Sequence, residues 1–512
     1  MQQNKPNSIQ EDVQSALSIL IQARENFTSS FTFKDFGIVD SVTTGVAFVT
    51  GLSGVAYNEL LLFEGGLSGI AFNIDKDKIG VVILGSSSAI EAGFEVSRTG
   101  RVMDIPVGPE LIGRLIDPLG NVLDGGSPIF TDSRLPIERP SPPIMDRSAV
   151  TSPLMTGIKV IDALIPIGHG QRELILGDRQ TGKTSIALDT IINQKDKDVI
   201  CIYCSIGQRG SAVAKAIEAL KSKNALSYTL VMIAEANEAP GLRYIAPYAA
   251  TSISEWFMEK GKNVLIVYDD LTSHALAYRE LSLLLKRPPG REAYPGDIFY
   301  IHSRLLERAT QLNNELGGGS LTALPIIETT AENISDYIPT NLISITDGQI
   351  YLSPSLFDLG QLPAIDVGKS VSRVGGKAQY KAFQKIAGSL KLTYSQFEEM
   401  EVFSRFGTRL DDKNRKLIEH GKRIRACLKQ KEYQPFSIGE QIVLLIALTD
   451  GLFDEIPLKD MSKAEDLLLT VSSRISKEIL DKIISSQHLD DLEIELILKN
   501  CSDALSNLKE SR

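Results

Sequence analysis

Hydrophobic and polar positions change their pattern along the 512-residue chain, and each change predicts a different domain. Residues 31–95 contain short apolar stretches separated by glycine-rich turns, which is typical of a small antiparallel β-barrel. From 96 to 376 strand-like and helical runs alternate, which indicates a mostly parallel sheet covered by helices. Residues 377–512 are helical in pattern and predict a bundle. An N-terminal segment, residues 1–30, shows helical periodicity at 9–25.

Composition and charge narrow the class of protein. The chain is 43% hydrophobic and carries a net charge of -10, from 64 acidic and 54 basic residues. Binding to nucleic-acid phosphates requires clustered Lys and Arg, so the acidic balance argues against a nucleic-acid partner. No apolar run reaches about 18 residues, and the N-terminal residues lack the order of a signal peptide. We therefore expect a soluble protein with no membrane span of its own.

The cysteines and histidines predict neither a disulfide scaffold nor a metal site. Four cysteines in a chain of this length are too few for such a scaffold. Cys201 and Cys204 form a CxxC pair inside a predicted buried strand, where residues three apart point to opposite faces. We expect both to pack in the core. The histidines are not spaced as ligand pairs, and stand at positions 169, 274, 302, 420 and 488.

Residues 177–184 have the sequence GDRQTGKT and match the phosphate-loop pattern GxxxxGK[ST]. Residues 172–177 predict a strand that enters the loop, and 185–193 predict a helix that leaves it. The two glycines allow the backbone amides to approach phosphate oxygens, and the helix directs its positive end at the same anion. Lys183 would bind the terminal phosphates, and the Thr184 hydroxyl would bind magnesium. The expected nucleotide-binding residues of this segment are Gly177, Asp178, Arg179, Gln180, Thr181, Gly182, Lys183, Thr184 and Ser185.

A second strand supplies the acidic partner that such a loop requires. Residues 263–270 have the sequence NVLIVYDD, in which a continuous apolar run predicts a strand covered on both faces. Asp269 follows at its carboxyl end, the usual ligand position in an open parallel sheet. We therefore expect Asp269 and Thr184 to hold Mg²⁺, directly or through water, with ATP or ADP as the bound nucleotide.

Together with further segments, these motifs resemble the alpha subunits of F-type ATP synthases. The resemblance extends from about residue 36 to 460 and is most specific in the segments 166–184, 268–272, 284–297 and 370–376. It implies an α/β multidomain fold with a six-stranded β-barrel, a RecA-like phosphate-loop domain of parallel α/β type and a C-terminal α-helical bundle.

The resemblance also implies an assembly. Three alpha and three beta subunits would alternate around a gamma rotor, with peripheral-stalk subunits attached. The complex would use an H⁺ or Na⁺ gradient, and this chain would contact the membrane only through the other subunits. The expected location is the cytoplasmic face of the bacterial inner membrane, which is favoured over a plastid thylakoid membrane.

Three residues receive roles from the resemblance. Gln208 occupies the place of the glutamate that activates the attacking water in catalytic beta subunits. A neutral amide is a poor proton acceptor, so we expect MgATP binding with slow or absent turnover. Arg373 would reach into the neighbouring beta subunit's catalytic site as an arginine finger. Ser370 would shape the loop that carries it.

The chain departs from the usual alpha pattern near the base pocket. Leu362 stands where an arginine is usual. Of two glutamines that line the pocket, Gln430 is kept and Glu432 replaces the second. Gln430 is therefore an expected binding residue, while the preference between ATP and GTP stays open. The first 30 residues, which dock the peripheral stalk in the family, match poorly, so a divergent paralogue is one interpretation.

Two alternative functions are weighed against this one. A catalytic rotary or export ATPase subunit would favour a glutamate at position 208, where this chain has glutamine. A hexameric nucleic-acid translocase resembling the transcription terminator Rho would need aromatic and basic residues along its barrel. Residues 33–96 have few basic residues and many aliphatic ones, which disfavours the translocase.

Overall fold

The computed structural model describes residues 35–405, 412–485 and 487–509. The helix predicted at 9–25, with the proposed N-terminal segment 1–30, lies outside the described residues. Within the described part, a closed barrel is followed by a domain built on a parallel sheet and then by a set of helices. The predicted fold class is therefore confirmed.

Six antiparallel strands form the barrel. They are β1 (Phe36–Thr43), β2 (Val46–Thr50), β3 (Glu59–Phe63), β4 (Ser68–Ile74), β5 (Ile79–Ile83) and β6 (Glu95–Val102). They close in the order β1-β2-β5-β4-β3-β6. Alternate side chains, such as Val39, Leu61 and Val81, point inward and are fully buried, so side chains fill the interior.

The last barrel strand crosses the proposed domain boundary at residue 95. Strand β6 extends past residue 95, where the sequence pattern placed the end of the barrel, and reaches Val102. It pairs with both β1 and β3 and so closes the sheet. Only Val96 is buried in this strand. Because β6 lacks alternating apolar residues, the hydrophobic pattern did not reveal it.

The central domain contains two sheets. Strands β7 (Asp104–Val107) and β9 (Ser133–Pro136) form a small antiparallel ladder. The main sheet contains β8 (Leu115–Ile116), β10 (Leu174–Gly177), β11 (Val199–Gln208), β12 (Thr229–Glu235), β13 (Asn263–Asp269), β14 (Ser320–Glu328), β15 (Gly348–Leu352) and β16 (Val371–Ser372). Its order is β16-β15-β10-β14-β13-β11-β12-β8, and only the edge strand β16 is antiparallel to its neighbour.

Helices cover both faces of this sheet. They are α1 (Lys159–Leu164), α2 (Lys183–Ile192), α3 (Gly210–Ser222), α4 (Pro240–Glu259), α5 (Leu271–Leu284), α6 (Ile298–Leu306), α7 (Tyr337–Ile345) and α8 (Pro354–Asp358). Cys201 and Cys204 illustrate the two-sided burial, because both are fully buried but belong to different hydrophobic clusters. Both are free thiols, so the prediction that they pack in the core is confirmed.

Six helices complete the described chain. They are α9 (Lys381–Arg405), α10 (Asp412–Cys427), α11 (Ile438–Thr449), α12 (Met461–Ser472), α13 (Lys477–Ile484) and α14 (Asp491–Lys509). Helix α1 joins them to the central domain, because Lys159 forms an ion pair with Glu465 and Asp162 accepts a 2.8 Å hydrogen bond from the Gln441 amide. Among the helices that the structure describes, none is both long and apolar enough to cross a membrane.

A buried ion pair holds the segment that follows β9 against helix α4. The Arg308 guanidinium donates to both carboxylate oxygens of Glu255, at 2.7 and 2.8 Å, and to the carbonyl oxygen of Ile137 at 2.7 Å. The side chains of Arg308 and Glu255 are 1% and 4% exposed. A pair so buried is strongly destabilising to break, because Glu255 then keeps only the more exposed Arg139 as an ion-pair partner.

We predict that Arg308→Ala lowers the free energy of unfolding of the central domain by about 3–5 kcal/mol. The control is Lys262→Ala, which removes an exposed ion pair with Asp198 in the same domain and should cost less than about 1 kcal/mol. Urea unfolding followed by the fluorescence of Trp256, the single tryptophan, measures both changes, since Trp256 lies on α4. Equal effects of the two substitutions would contradict the assigned role of the buried pair.

Candidate functional site: a phosphate loop and its acidic partner

The phosphate loop lies where the sequence pattern placed it, between β10 and α2. Strand β10 ends at Gly177 and α2 begins at Lys183, so the first turn of a ten-residue helix faces the loop. Gly182 has a φ of 96°, in the left-handed region that favours glycine. The helix therefore presents free N–H groups and its positive end toward an anion held by the loop.

Lys183 is held inside the loop. Its ammonium donates to the carbonyl oxygens of Gly177 and Asp178 at 2.9 and 2.6 Å. Burial lowers the pKa of this ammonium, while the charges of Glu328 and Asp270 act in the opposite direction. The charge is thus fixed at the centre of the loop, which is the position from which a lysine binds terminal phosphates.

Asp269, at the end of the second predicted strand, contacts the phosphate loop. Its Oδ2 atom accepts hydrogen bonds from the Thr184 hydroxyl and from the Tyr203 hydroxyl, each at 2.8 Å. Burial raises the pKa of Asp269, and the bonds from Tyr203 and Thr184 partly offset this effect. The carboxylate is therefore enclosed and directed at the first turn of α2.

The oxygen atoms at this point fit a magnesium ion that also binds phosphate. Mg²⁺ is bound in such sites by one or two protein oxygens, by water and by substrate phosphates. The Thr184 hydroxyl and the Asp269 carboxylate provide two hard oxygen ligands beside the loop. Within the described residues no group of three His, Cys, Asp or Glu side chains is arranged to hold a metal alone. The arrangement thus suits a nucleotide-bound ion better than an independent metal centre.

Gln208 bridges two acidic side chains at the end of β11. Its amide donates to Asp269 Oδ1 and Asp270 Oδ2, both at 3.1 Å. Burial, followed by the charge of Asp269, raises the pKa of Asp270 to about 7. A neutral donor between the two carboxyl groups reduces their repulsion, whereas a glutamate at this position would add a third acidic group. The side chain at position 208 therefore cannot act as a proton acceptor.

Two of the predicted binding residues turn their side chains away from the loop interior. The Asp178 carboxylate accepts from the Thr329 hydroxyl at 2.6 Å and from the backbone N–H of Glu332 at 3.1 Å. The Arg179 side chain is 83% exposed and pairs with Glu328 at 2.8 Å. These side chains hold the loop against the segment that follows β14.

The other loop residues complete its shape. Gln180 has a φ of 62°, and the Thr181 hydroxyl donates to the carbonyl oxygen of Asp178 at 2.8 Å. Ser185 lies on the first turn of α2 and donates from its hydroxyl to Glu432 Oε1 at 2.9 Å. This bond connects the loop to the segment that follows α10.

A small cleft, open to solvent, lies beside the loop, between α2 and the segment after α10. It is lined by Ile158, Thr181, Gly182, Ser185, Ile186, Asp189, Leu362, Pro363, Gln430, Lys431 and Glu432. The structure thus brings Gln430, Leu362 and Glu432 together beside the phosphate loop.

Sequence reasoning missed two residues of this site. Asp189 lines the cleft and accepts from the backbone N–H of Tyr433 at 2.7 Å. Its position four residues after Ser185, on the same helix face, was an available signal. Tyr203 binds Asp269, but no local signal marks it, because the contact depends on β11 lying next to β13 in the sheet.

Arg373 lies at the opposite end of the parallel strands, where they begin. Its backbone N–H donates to the carbonyl oxygen of Asp347 at 2.8 Å, and its exposed guanidinium donates to the carbonyl oxygen of Ile343 at 3.2 Å. Asp347 precedes β15, whose far end, Leu352, pairs with Gly177. At about 3.3 Å per residue, roughly 10 Å or more of strand separates this end from the phosphate loop. The structure therefore does not bring Arg373 to the loop of its own chain.

Ser370 fixes the start of the segment that carries Arg373. Its hydroxyl donates to the carbonyl oxygen of Asp366 at 2.6 Å and accepts from the backbone N–H of Tyr351 at 2.9 Å. The side chain is buried, so these bonds determine the path of the chain before Arg373. Ser370 thus contributes to the shape of the segment.

Comparisons with known proteins agree with this geometry. Three family models match: the ATP synthase alpha/beta family beta-barrel domain at residues 34–100, the nucleotide-binding domain at 157–372 and the C terminal domain at 379–504. The chain is 63% identical to ATP synthase subunit alpha 1 of Marinomonas sp. (strain MWYL1), over 95% of each chain. It is 61% identical to ATP synthase subunit alpha 1 of Shewanella frigidimarina, over 99% of this chain and 98% of the relative. The chain therefore belongs to the ATP synthase alpha/beta family.

Proposed function

We propose that this chain is the nucleotide-binding, non-catalytic alpha subunit of an F-type ATP synthase. It holds MgATP or MgADP at its own phosphate loop and supplies Arg373 to the catalytic site of a neighbouring beta subunit. The relatives reported above are named as alpha subunits of ATP synthase, which supports this assignment. The observation that carries the non-catalytic role is the Gln208 amide, which donates to both Asp269 and Asp270.

Nucleotide binding follows from the groups around the loop. The backbone N–H groups before α2 and the Lys183 ammonium bind the phosphates. The Thr184 hydroxyl and the Asp269 carboxylate, which lie 2.8 Å apart, would hold a magnesium ion that would neutralise part of the phosphate charge. The nucleoside extends from the loop into the adjacent cleft, whose wall is shaped by Gln430.

Slow turnover follows from the absence of a proton acceptor at position 208. Hydrolysis of the terminal phosphate requires an oriented water, and a positioned base accelerates proton removal by about a hundredfold to ten-thousandfold. The Gln208 amide nitrogen is engaged as a donor to two carboxyl groups. This arrangement favours a subunit that retains its nucleotide over a catalytic rotary or export ATPase subunit.

The exposed position of Arg373 fits a role in trans. Its guanidinium lies at the end of the strands opposite the phosphate loop and makes one hydrogen bond to a backbone carbonyl within the described residues. A planar, always-charged guanidinium at this place is suited to stabilise a transferring phosphoryl group on another chain. Each nucleotide site of the assembly then lies at an interface, and one type of chain cannot complete it.

The proposed assembly is a ring of three alpha and three beta subunits around a gamma rotor, bound by peripheral-stalk subunits. Within it the complex makes ATP from ADP and phosphate with an ion gradient. The chain is placed on the cytoplasmic face of a bacterial inner membrane, which it meets only through the other subunits. The bacterial sources of the two relatives support this location.

We predict that the purified full chain binds MgATP and hydrolyses it more slowly than about one turnover per second, a low value for an enzyme. Lys183→Ala should weaken binding by at least tenfold, because it removes a charge-assisted bond to phosphate. Lys215→Ala, at an exposed lysine on α3, is the control and should leave affinity unchanged. Calorimetric titration and phosphate release measure the two properties. Unchanged affinity in the Lys183 variant would place the nucleotide elsewhere.

We predict that Arg373→Ala lowers the ATP turnover of the reconstituted complex by about a thousandfold to a hundred-thousandfold. Arg373→Lys should restore little of this rate, because an ammonium lacks the forked donor geometry. MgATP binding to this chain should be retained, since Arg373 lies away from its own loop. Arg415→Ala, at an exposed arginine on α10, serves as the control. Single-turnover hydrolysis within about tenfold of wild type, in a complex shown to assemble, would remove Arg373 from the mechanism.

A further inference from the structure

The cleft beside the phosphate loop determines which base the bound nucleotide carries. Its entrance is formed by Thr181, Gly182 and Ser185, next to the residues that bind phosphate. A nucleotide with its phosphates on the loop therefore extends its base into this cleft, between α2 and the segment 429–434. Ile158, Ile186 and the Leu362–Pro363 pair supply apolar walls there, which suits a planar ring.

The one amide side chain in the cleft is already engaged. The Gln430 oxygen accepts from the backbone N–H of Lys159 at 3.0 Å. Its amide nitrogen donates to the carbonyl oxygens of Gly157 and Gln434 at 2.8 and 3.0 Å. An amide nitrogen has two hydrogens, so both donors are used. Gln430 thus fixes the shape of the wall and has no donor left for the edge of a base.

Two acidic side chains also line the cleft, and one of them, Glu432, lies beside the phosphate loop because it binds Ser185. Glu432 is exposed to solvent on the cleft wall, and its Oε1 atom accepts from the Ser185 hydroxyl at 2.9 Å. Asp189 is buried at the base of the cleft and accepts from the backbone N–H of Tyr433 at 2.7 Å. Lys431 also lines the cleft. An ionised carboxylate only accepts hydrogen bonds, so Glu432 presents an acceptor to the base.

Purine bases differ in what they offer to such an acceptor. Guanine presents two adjacent donors on one edge, the N1–H and the N2 amino group, which match the two oxygens of a carboxylate. Adenine presents the N6 amino group beside the lone pair of N1, so a carboxylate gains one hydrogen bond and faces a second acceptor. A glutamine side chain, with one donor and one acceptor, matches adenine instead.

We propose that Glu432 is a specificity-determining residue that shifts the base preference of this site from adenine toward guanine. This inference rests on the nucleotide site proposed above and adds the class of nucleotide that the site accepts. The Ser185 hydroxyl holds the carboxylate on the cleft wall, so the preference is built into the contact between the loop helix and the segment after α10.

The test is calorimetric titration of the purified full chain with MgADP, MgGDP and MgIDP. We expect wild type to bind GDP at least as tightly as ADP. It should also bind GDP about tenfold more tightly than IDP, because hypoxanthine lacks the N2 amino group. Glu432→Gln should shift the ADP-to-GDP affinity ratio about tenfold toward ADP. Glu399→Gln, at an exposed glutamate on α9 outside the cleft, is the control and should leave the ratio unchanged.

The outcomes separate this inference from the proposed function. A wild-type preference for ADP over GDP, equal affinity for GDP and IDP, or an unchanged ratio in Glu432→Gln would overturn the base assignment while Lys183-dependent binding stands. The comparison of GDP with IDP uses wild-type protein and does not depend on the folding of a variant. Failure of all three nucleotides to bind in a Lys183-dependent manner would instead overturn the nucleotide site itself.

Discussion

The pairing of strand β10 with β14 on one side and β15 on the other is the constraint on which the site depends. Parallel ladders on both sides fix the end of this four-residue strand at Gly177. The loop and α2 must then begin at the carboxyl edge of the sheet, where ligands bind in parallel folds. At the opposite end of the strands, the carbonyl oxygen of Asp347 accepts a hydrogen bond from the backbone N–H of Arg373. One short strand therefore separates the phosphate loop of this chain from Arg373, the arginine that we propose acts on a neighbouring subunit.

Asp269 is the buried acidic group around which the side chains of the site are arranged. A buried carboxylate is stable only when hydrogen bonds replace its lost hydration, and here Thr184, Tyr203 and Gln208 all donate to it. In the proposed function the same bonds have a second role, because Thr184 and Asp269 would hold the magnesium ion and Gln208 stands where a catalytic subunit would carry its base. Stability of the buried carboxylate and retention of the nucleotide thus depend on the same side chains.

The sequence predicted the features that have local signals. The loop was predictable because glycines, a lysine and a hydroxyl stand between a strand and a helix, and Asp269 because it ends a continuous apolar run. The cleft was less predictable, since the bonds from Ser185 to Glu432 and from Tyr433 to Asp189 join residues 247 and 244 positions apart. No local pattern encodes such pairs. The roles of Gln208 and Arg373 came from family resemblance, because neither residue type is distinctive alone.

The central claim is that this chain holds MgATP without hydrolysing it while the assembled complex turns over. Photolabelling of the reconstituted complex with azido-ATP carrying a radioactive γ-phosphate tests it directly. We expect label on this chain, in peptides that line the cleft such as those around Pro363 and Glu432, with the γ-phosphate retained through many turnovers of the complex. Loss of the γ-phosphate from this chain at the turnover rate of the complex would contradict the account.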